Sequence, residues 1–273
     1  MPRDLTDKLI VITGASSGIG AATALACAKA GMDVVLAARR LEKLEDVARQ
    51  VESLGRKALP VVCDVNRDED VERLFHQAWE TFNRLDVAFA NAGYGFFGSV
   101  LDTDLQAHRE IFETNYFGTL RTLRVAVPYL RQTPGGLKHL LICSSVASEI
   151  GVPKFGAYCA TKAAQDSIAG AMRAELADEG ILVTSVHPMG TSTEFSSRAR
   201  ELSPDKREAE RGSTPARFKQ TADHVADCIV RSLRRPGPEV WPAPWMRYLL
   251  ALGTASPRFT AWAMRKYLKK ISR

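Results

Sequence analysis

Residues 11–20 read VITGASSGIG, and two incompatible chemistries fit these ten letters. Gly14-Ala15-Ser16-Ser17-Gly18 matches G-x-S-x-G, the strained turn that raises a nucleophilic serine. Gly14, Gly18 and Gly20, with Ser16, Ser17 and Ile19 between them, equally make a glycine-rich turn that seats a pyrophosphate. Both readings need a strand before and a helix after. Lys8 to Thr13 is a short apolar run rich in β-branched residues, the pattern of a buried parallel strand. The following GAATALACAKAG carries good helix formers and stops at Gly31, suited to a C-terminal cap. Position decides between them. A nucleophile turn takes an oxyanion donor from a loop upstream, and only one strand precedes Ser16. A glycine turn after the first strand is where a dinucleotide fold holds its phosphates. A turn without a ligand is disfavoured, because clustered glycines cost stability unless backbone must approach something closely.

Outward from that turn, strand-like and helix-like segments alternate. MDVVLAA (32–38) precedes a helical 41–54, KALPVV (57–62) precedes Asp64-Val65 and a helical 69–82, and LDVAFA (85–90) runs into Asn91. A helical stretch follows over about 105–130, then LKHLLICSS (137–145), a helix over about 155–177, and ILVTSVHP (181–188). Six such units predict an α/β fold, a Rossmann-type doubly wound parallel sheet of about seven strands with helices on both faces. The seventh is an edge strand in PEVWPAP, where prolines are tolerated. Residues 190–220 are polar and without a strand, which predicts a substrate lid. The reading divides the chain into a dinucleotide-binding catalytic domain, 1–239, and a C-terminal extension, 240–273, packed on it.

Hydrophobic residues make up 45% of the 273 and charged ones 25%, ordinary for a soluble globular protein. No signal peptide or bilayer-length apolar run is found, so a cytoplasmic protein is expected. The five cysteines, Cys27, Cys63, Cys143, Cys159 and Cys228, show no zinc spacing, so no metal is expected. Charge is uneven: of the net +6, residues 240–273 supply seven basic residues and no acid, which leaves the first 239 at −1. A nucleic-acid partner is therefore not expected. The same tail holds Trp241, Trp245 and Trp262, with Tyr248, Phe259 and Tyr267. That composition suits peripheral contact with a membrane surface, a helix closing the substrate pocket, or a subunit contact. Drawn as a helix, Phe259, Trp262, Ala263 and Tyr267 form an apolar arc that Lys266 and Lys270 interrupt.

The strand ends gather the polar residues. Where an NAD site has an acid to hold the ribose 2′-hydroxyl, this chain has Ala37, Ala38, Arg39 and Arg40. An arginine there suits a 2′-phosphate, and NADP(H) is favoured over NAD(H). Asp64 and Val65 fit an adenine edge, and Asn91-Ala92-Gly93 lets backbone approach a ribose. Further on, YCATK places Tyr158 and Lys162 four apart, on one helix face. A nearby ammonium lowers a phenol's pKa toward the neutral range, which makes the pair a proton donor and acceptor. Ser145, thirteen residues upstream, ends the preceding strand with a hydroxyl for a substrate oxygen.

With TGASSGIG, NAG at Asn91, Asn115 in TNYFG, Ser145 in SSVAS, and YCATK in this order, the chain resembles the short-chain dehydrogenases/reductases over roughly residues 8–193. The resemblance implies that Tyr158 is the general acid/base and that Ser145 polarises the carbonyl. It implies that Lys162 lowers the tyrosine's pKa and binds the nicotinamide ribose, while Asn115 holds a water linking the lysine to solvent. Pro188, Gly190, Thr191 and Thr193 would then border the nicotinamide. Three departures stand out. Met189 follows His187-Pro188 where the family has glycine, Ser17 replaces a basic residue common in NADP-preferring members, and the tail replaces the usual ending.

The expectation is an NADP(H)-dependent oxidoreductase interconverting a carbonyl and an alcohol, acting on a small molecule as a homo-oligomer. The alternatives are an idle NADP-binding sensor, a serine hydrolase built on Ser16, and a sugar epimerase or dehydratase. Tyr94 to Gly98, Glu149 to Phe155 and the lid are expected to line the pocket. Phe96, Phe97, Ile150, Val152 and Phe155 point to an apolar substrate such as a lipid, steroid or aromatic ketone.

Overall fold

A computed structural model describes residues 1–212, 214–215 and 218–271; Ser213, Ala216 and Arg217 of the lid segment and Ser272 and Arg273 of the tail lie outside the described residues. Among the described residues there are seven strands: β1 Leu9–Thr13, β2 Asp33–Ala38, β3 Ala58–Val62, β4 Val87–Ala90, β5 His139–Cys143, β6 Leu182–Val186 and β7 Glu239–Val240. Every pairing is parallel, in the order β3-β2-β1-β4-β5-β6-β7. The order reverses direction between β1 and β4, and at such a switch point the loops part to leave a crevice at the strands' carboxyl ends.

Alternation along the strands builds two cores. Ile10, Ile12, Val34, Leu36 and Phe89 point to the face covered by α1 (Gly18–Lys29), α2 (Leu41–Ser53) and α9 (Ala222–Arg234). Their neighbours Leu9, Val11, Val35, Ala37 and Ala88 face α3 (Asp68–Phe82), α5 (Gly118–Gln132) and α6 (Gly156–Glu175). A sheet buried on both faces needs continuous apolar runs, and β1, β4 and β5 are buried throughout.

Three elements depart from the sequence expectation. The stretch read as one helix is α4 (Leu105–Phe112) and α5, joined by a π-helical turn over Glu113–Phe117 that carries Asn115. Such turns widen the helix at functional positions, and apolar spacing does not reveal them. Among its described residues the lid contains the α-helices α7 (Glu194–Glu201) and α8 (Lys206–Gly212), and a parallel bridge between Thr191 and Gln220. In the tail, α10 (Pro244–Ala255) and α11 (Pro257–Ile271) follow β7, which straddles the 239/240 boundary. The apolar arc of α11 splits. Tyr267 turns inward and donates to the Gly212 carbonyl at 2.8 Å, whereas Phe259 and Trp262 face outward.

Candidate active site

The glycine turn is built by close approach. Gly14 has φ +67°, and a Cβ there would stand 2.9 Å from Ala92 Cα and from Asn91 Nδ2. A Cβ on Gly20 would fall 2.4 Å from the Gly14 carbonyl oxygen, so the start of α1 crosses the turn with no room for a side chain. Asn91 ties the two strand ends together, donating from Nδ2 to the carbonyls of Thr13 at 2.9 Å and Gly14 at 3.2 Å. The turn, together with the N-terminal end of α1, presents backbone N–H groups to an anion.

One cavity of about 1190 Å³ runs from this turn to the tail helices. Its walls include Gly14, Ser16, Ser17, Gly18, Ile19, Arg39, Arg40, Asp64, Val65, Asn91, Ala92, Gly93, Ser145, Tyr158, Lys162, Pro188, Gly190, Thr191 and Thr193. Of the residues singled out from sequence, Gly20 and Asn115 stand behind this wall. Asn115 is fully buried and braces the loop after β4: its Oδ1 accepts from the Tyr94 N–H at 3.0 Å, and its Nδ2 donates to the Tyr94 carbonyl at 2.9 Å and Thr161 Oγ1 at 3.0 Å. Its carbonyl accepts from Gln165 Nε2 at 2.6 Å. The structure thus gives Asn115 a bracing role, held by protein groups on each of these atoms.

Tyr158 and Lys162 lie one turn apart on α6, both buried. Burial pushes the Tyr158 phenol up, because an apolar surround disfavours phenolate, and a hydrogen bond with the Ser145 hydroxyl opposes that push. Lys162 Nζ lies 5.4 Å from the tyrosine ring centroid and donates to the Cys143 carbonyl at 2.6 Å. Burial also lowers the Lys162 pKa, with Cys143 and Asp166 opposing. Ser145 is supported from behind: Nδ1 of buried His187 lies 3.3 Å from its carbonyl oxygen, and that imidazole stacks on Trp241 at 4.2 Å.

The cavity is aromatic around Tyr158. Phe97 stacks on Phe155 at 4.5 Å, Phe155 meets the Tyr158 ring at 4.5 Å, and Phe195 meets it edge-on at 5.5 Å. Ile150 and Val152 line the cavity as expected, whereas Phe96 is buried in a small cluster with Ile111 and Ala157, and Glu149 is outside the wall. Phe195, Met246 and Met264, which the sequence does not single out, also line the cavity, as do Trp245 and Tyr267 of the tail. The departure at Met189 is accommodated by Gln220, whose Oε1 accepts from the Met189 N–H at 3.0 Å and whose N–H donates to the Gly190 carbonyl at 3.0 Å.

Among the described residues, no hydrogen bond joins Ser16 Oγ to a histidine, a lysine or a carboxylate. Its Oγ accepts from Arg40 Nη2 at 3.0 Å, and a guanidinium cannot take a proton from serine at neutral pH. Ser16→Ala should therefore retain turnover within about threefold at saturating cofactor, with at most about a tenfold loss of cofactor affinity for one hydrogen bond. A variant that binds cofactor and does not turn over would restore the nucleophile reading.

A parallel switch-point sheet, a glycine turn at its centre and a tyrosine–lysine–serine group in the same cavity define a nicotinamide-dinucleotide oxidoreductase. The family model described as short chain dehydrogenase matches residues 8–203, and the chain belongs to that family. It is 31% identical to the uncharacterized oxidoreductase YxnA of Bacillus subtilis (strain 168), over 97% of this chain and 74% of that one. It is 32% identical to 11-beta-hydroxysteroid dehydrogenase A of Sesamum indicum, over 96% of this chain and 76% of that one. An alcohol dehydrogenase from the archaeon Thermococcus sibiricus, solved with 5-hydroxy-NADP, superposes with TM-score 0.73 and 29% identity, over 85% of this chain and 94% of that one. The chain is an NAD(P)-dependent oxidoreductase acting on carbonyl and alcohol groups.

Proposed function

We propose that this enzyme uses NADP(H) to interconvert an apolar ketone and its alcohol, with Tyr158 as the proton donor and acceptor. The carrying observation is that one cavity joins an arginine-flanked glycine turn at one end to Tyr158, Ser145 and an aromatic wall at the other. The dinucleotide fits: Gly14 leaves bare backbone at the turn, and a Cβ at Gly93 would stand 3.0 Å from Asn115 Oδ1 and 3.8 Å from Lys162 Nζ, so side-chain-free floor meets the lysine there. When bound, the nicotinamide supplies or accepts the hydride.

The remaining steps fall to the chain's own residues. Ser145 Oγ holds the substrate oxygen, and Tyr158, which burial keeps protonated, gives its proton to that oxygen as charge develops. Lys162 binds the nicotinamide ribose and adds positive charge near the phenol, which eases deprotonation in the alcohol direction. Asn115 fixes the loop that faces them. Phe97, Phe155 and Phe195 exclude water and favour a flat or branched apolar ketone. The name of the Sesamum indicum relative, a hydroxysteroid dehydrogenase, supports this substrate class. The test is a panel of steroid, lipid and aromatic ketones with NADPH and NADH. Oxidation of NADPH by apolar ketones, in preference to polar aldoses, is the expected result; no turnover with any carbonyl would overturn it.

The tail supports contact with an anionic membrane surface. On α10, Trp245, Tyr248, Leu249 and Leu252 are exposed at spacings of three and four residues, and on α11 Lys266 Nζ lies 4.0 Å over the outward-facing Trp262 ring. No described helix is long and apolar enough to cross a membrane. The enzyme should float with phosphatidylserine-containing vesicles and not with neutral ones, and Leu252→Glu should abolish flotation. Sedimentation in the absence of lipid tests for the homo-oligomer.

A further inference from the structure

Glu194 touches both ends of the cavity's chemistry. It opens α7 behind the N-cap Thr193, and its carboxylate accepts from Arg40 Nη2 at 2.8 Å and from Lys43 Nζ. The same Arg40 nitrogen donates to Ser16 Oγ at 3.0 Å and Ser17 Oγ at 3.4 Å. The glycine turn, the end of β2 and the first turn of α2 thus converge on one anion, and that anion is a side chain. Lys43, Arg40 and the Ser17 hydroxyl hold the Glu194 carboxyl down at about 2. The next residue, Phe195, packs edge-on against the Tyr158 ring, and a Cβ on Gly95 would stand 2.9 Å from it.

We infer that Glu194 is an internal substitute for the 2′-phosphate of the dinucleotide: it sets the choice between phosphorylated and unphosphorylated cofactor, and its displacement shifts Phe195 against Tyr158. The inference rests on the NADP reading above. A 2′-phosphate carries close to two negative charges and three acceptor oxygens, and it recruits the same arginine, lysine and hydroxyl groups. It cannot share them with a carboxylate a few ångströms away, because like charges at that distance repel. Release is feasible, since the side chains of Glu194, Arg40 and Lys43 are 45%, 50% and 43% exposed, and ion pairs in such positions hold weakly. The 2′-hydroxyl of NAD makes no such demand and leaves the pairs in place. Residues 194 and 195 share the first turn of α7, so a shift of that turn on displacement of the carboxylate carries the ring that borders the catalytic phenol.

The test uses the full-length enzyme and Glu194→Gln, which keeps shape and removes charge. Fluorescence titration should show NADPH bound roughly 3- to 10-fold more tightly by the variant and NADH bound within about twofold of wild type. In wild type, hydrogen exchange over residues 194–201 should rise with 2′,5′-ADP and not with 5′-AMP; in the variant it should already be high without nucleotide. An NADPH:NADH affinity ratio that stays unchanged, or moves toward NADH, overturns the inference. Equal exchange with the two nucleotides overturns the link to Phe195. If wild type binds both cofactors equally while Glu194→Gln still tips the ratio toward NADPH, the NADP reading fails and the role of Glu194 stands.

Discussion

Tyr158→Phe should lower turnover by at least about 10³-fold while NADPH affinity stays within about threefold of wild type. The substitution removes the phenolic oxygen and little else, since Phe155 and Phe195 already enclose the ring. The lost hydrogen bond to Ser145 costs about 0.5–1.5 kcal/mol of stability, too little to unfold a domain of this size. Burial holds the phenol up, so the wild-type group is protonated throughout the neutral range, and carbonyl reduction should show no loss of rate as pH rises from 6 to 8 through this residue. Stopped-flow measurement of NADPH oxidation with a reactive ketone, beside a binding titration, separates chemistry from affinity. Turnover of the phenylalanine variant near the wild-type rate would remove Tyr158 from the mechanism. Lys162, by contrast, should affect both rate and cofactor affinity, because it reaches toward the floor at Gly93 as well as toward the tyrosine.

Arg39→Asp should weaken NADPH binding by roughly 10- to 150-fold, the equivalent of losing one charge-assisted contact of about 1.5–3 kcal/mol, before repulsion adds to it. NADH binding should hold or improve, since the new carboxylate can accept from a ribose 2′-hydroxyl. Arg39 and Arg40 are adjacent in sequence, and the structure separates them. Arg40 is engaged by Glu194, Ser16 and Ser17, whereas Arg39 lines the cavity and makes no hydrogen bond or ion pair among the described residues. Its guanidinium is thus open to a phosphate from the start, whereas Arg40 joins only once Glu194 is displaced. Both side chains meet solvent, so the difference should shrink in high salt. Equal weakening toward both cofactors would reduce Arg39 to a structural residue and take the NADP assignment with it.

Much of this protein is legible in its sequence because the relevant geometry is local. A glycine turn between one strand and one helix is specified within about ten residues, and the crowding at Gly14 and Gly20 is the physical reason no other residue serves there. Tyr158 and Lys162 share a helix face by spacing alone, and Ser145 meets them because α6 passes the end of β5, where Lys162 Nζ donates to the Cys143 carbonyl at 2.6 Å. Alternation along β1 and β2 determines both cores and hence the layered fold. Tertiary structure alone decides the rest, because it depends on where distant segments meet. The sequence has no acid at the end of β2, yet Glu194, 154 residues beyond Arg40, brings a carboxylate to that point once α7 folds over the glycine turn. The π-helical turn at Asn115 arises from tertiary packing, with Tyr94 and Gln165 claiming its side chain and carbonyl. Phe96 and Phe97 differ by one position, and only the path of the loop after β4 sends one into a core and the other into the cavity. Likewise Tyr267 faces Gly212 and Trp262 faces outward, because α11 lies on the lid and a single helix face cannot serve both.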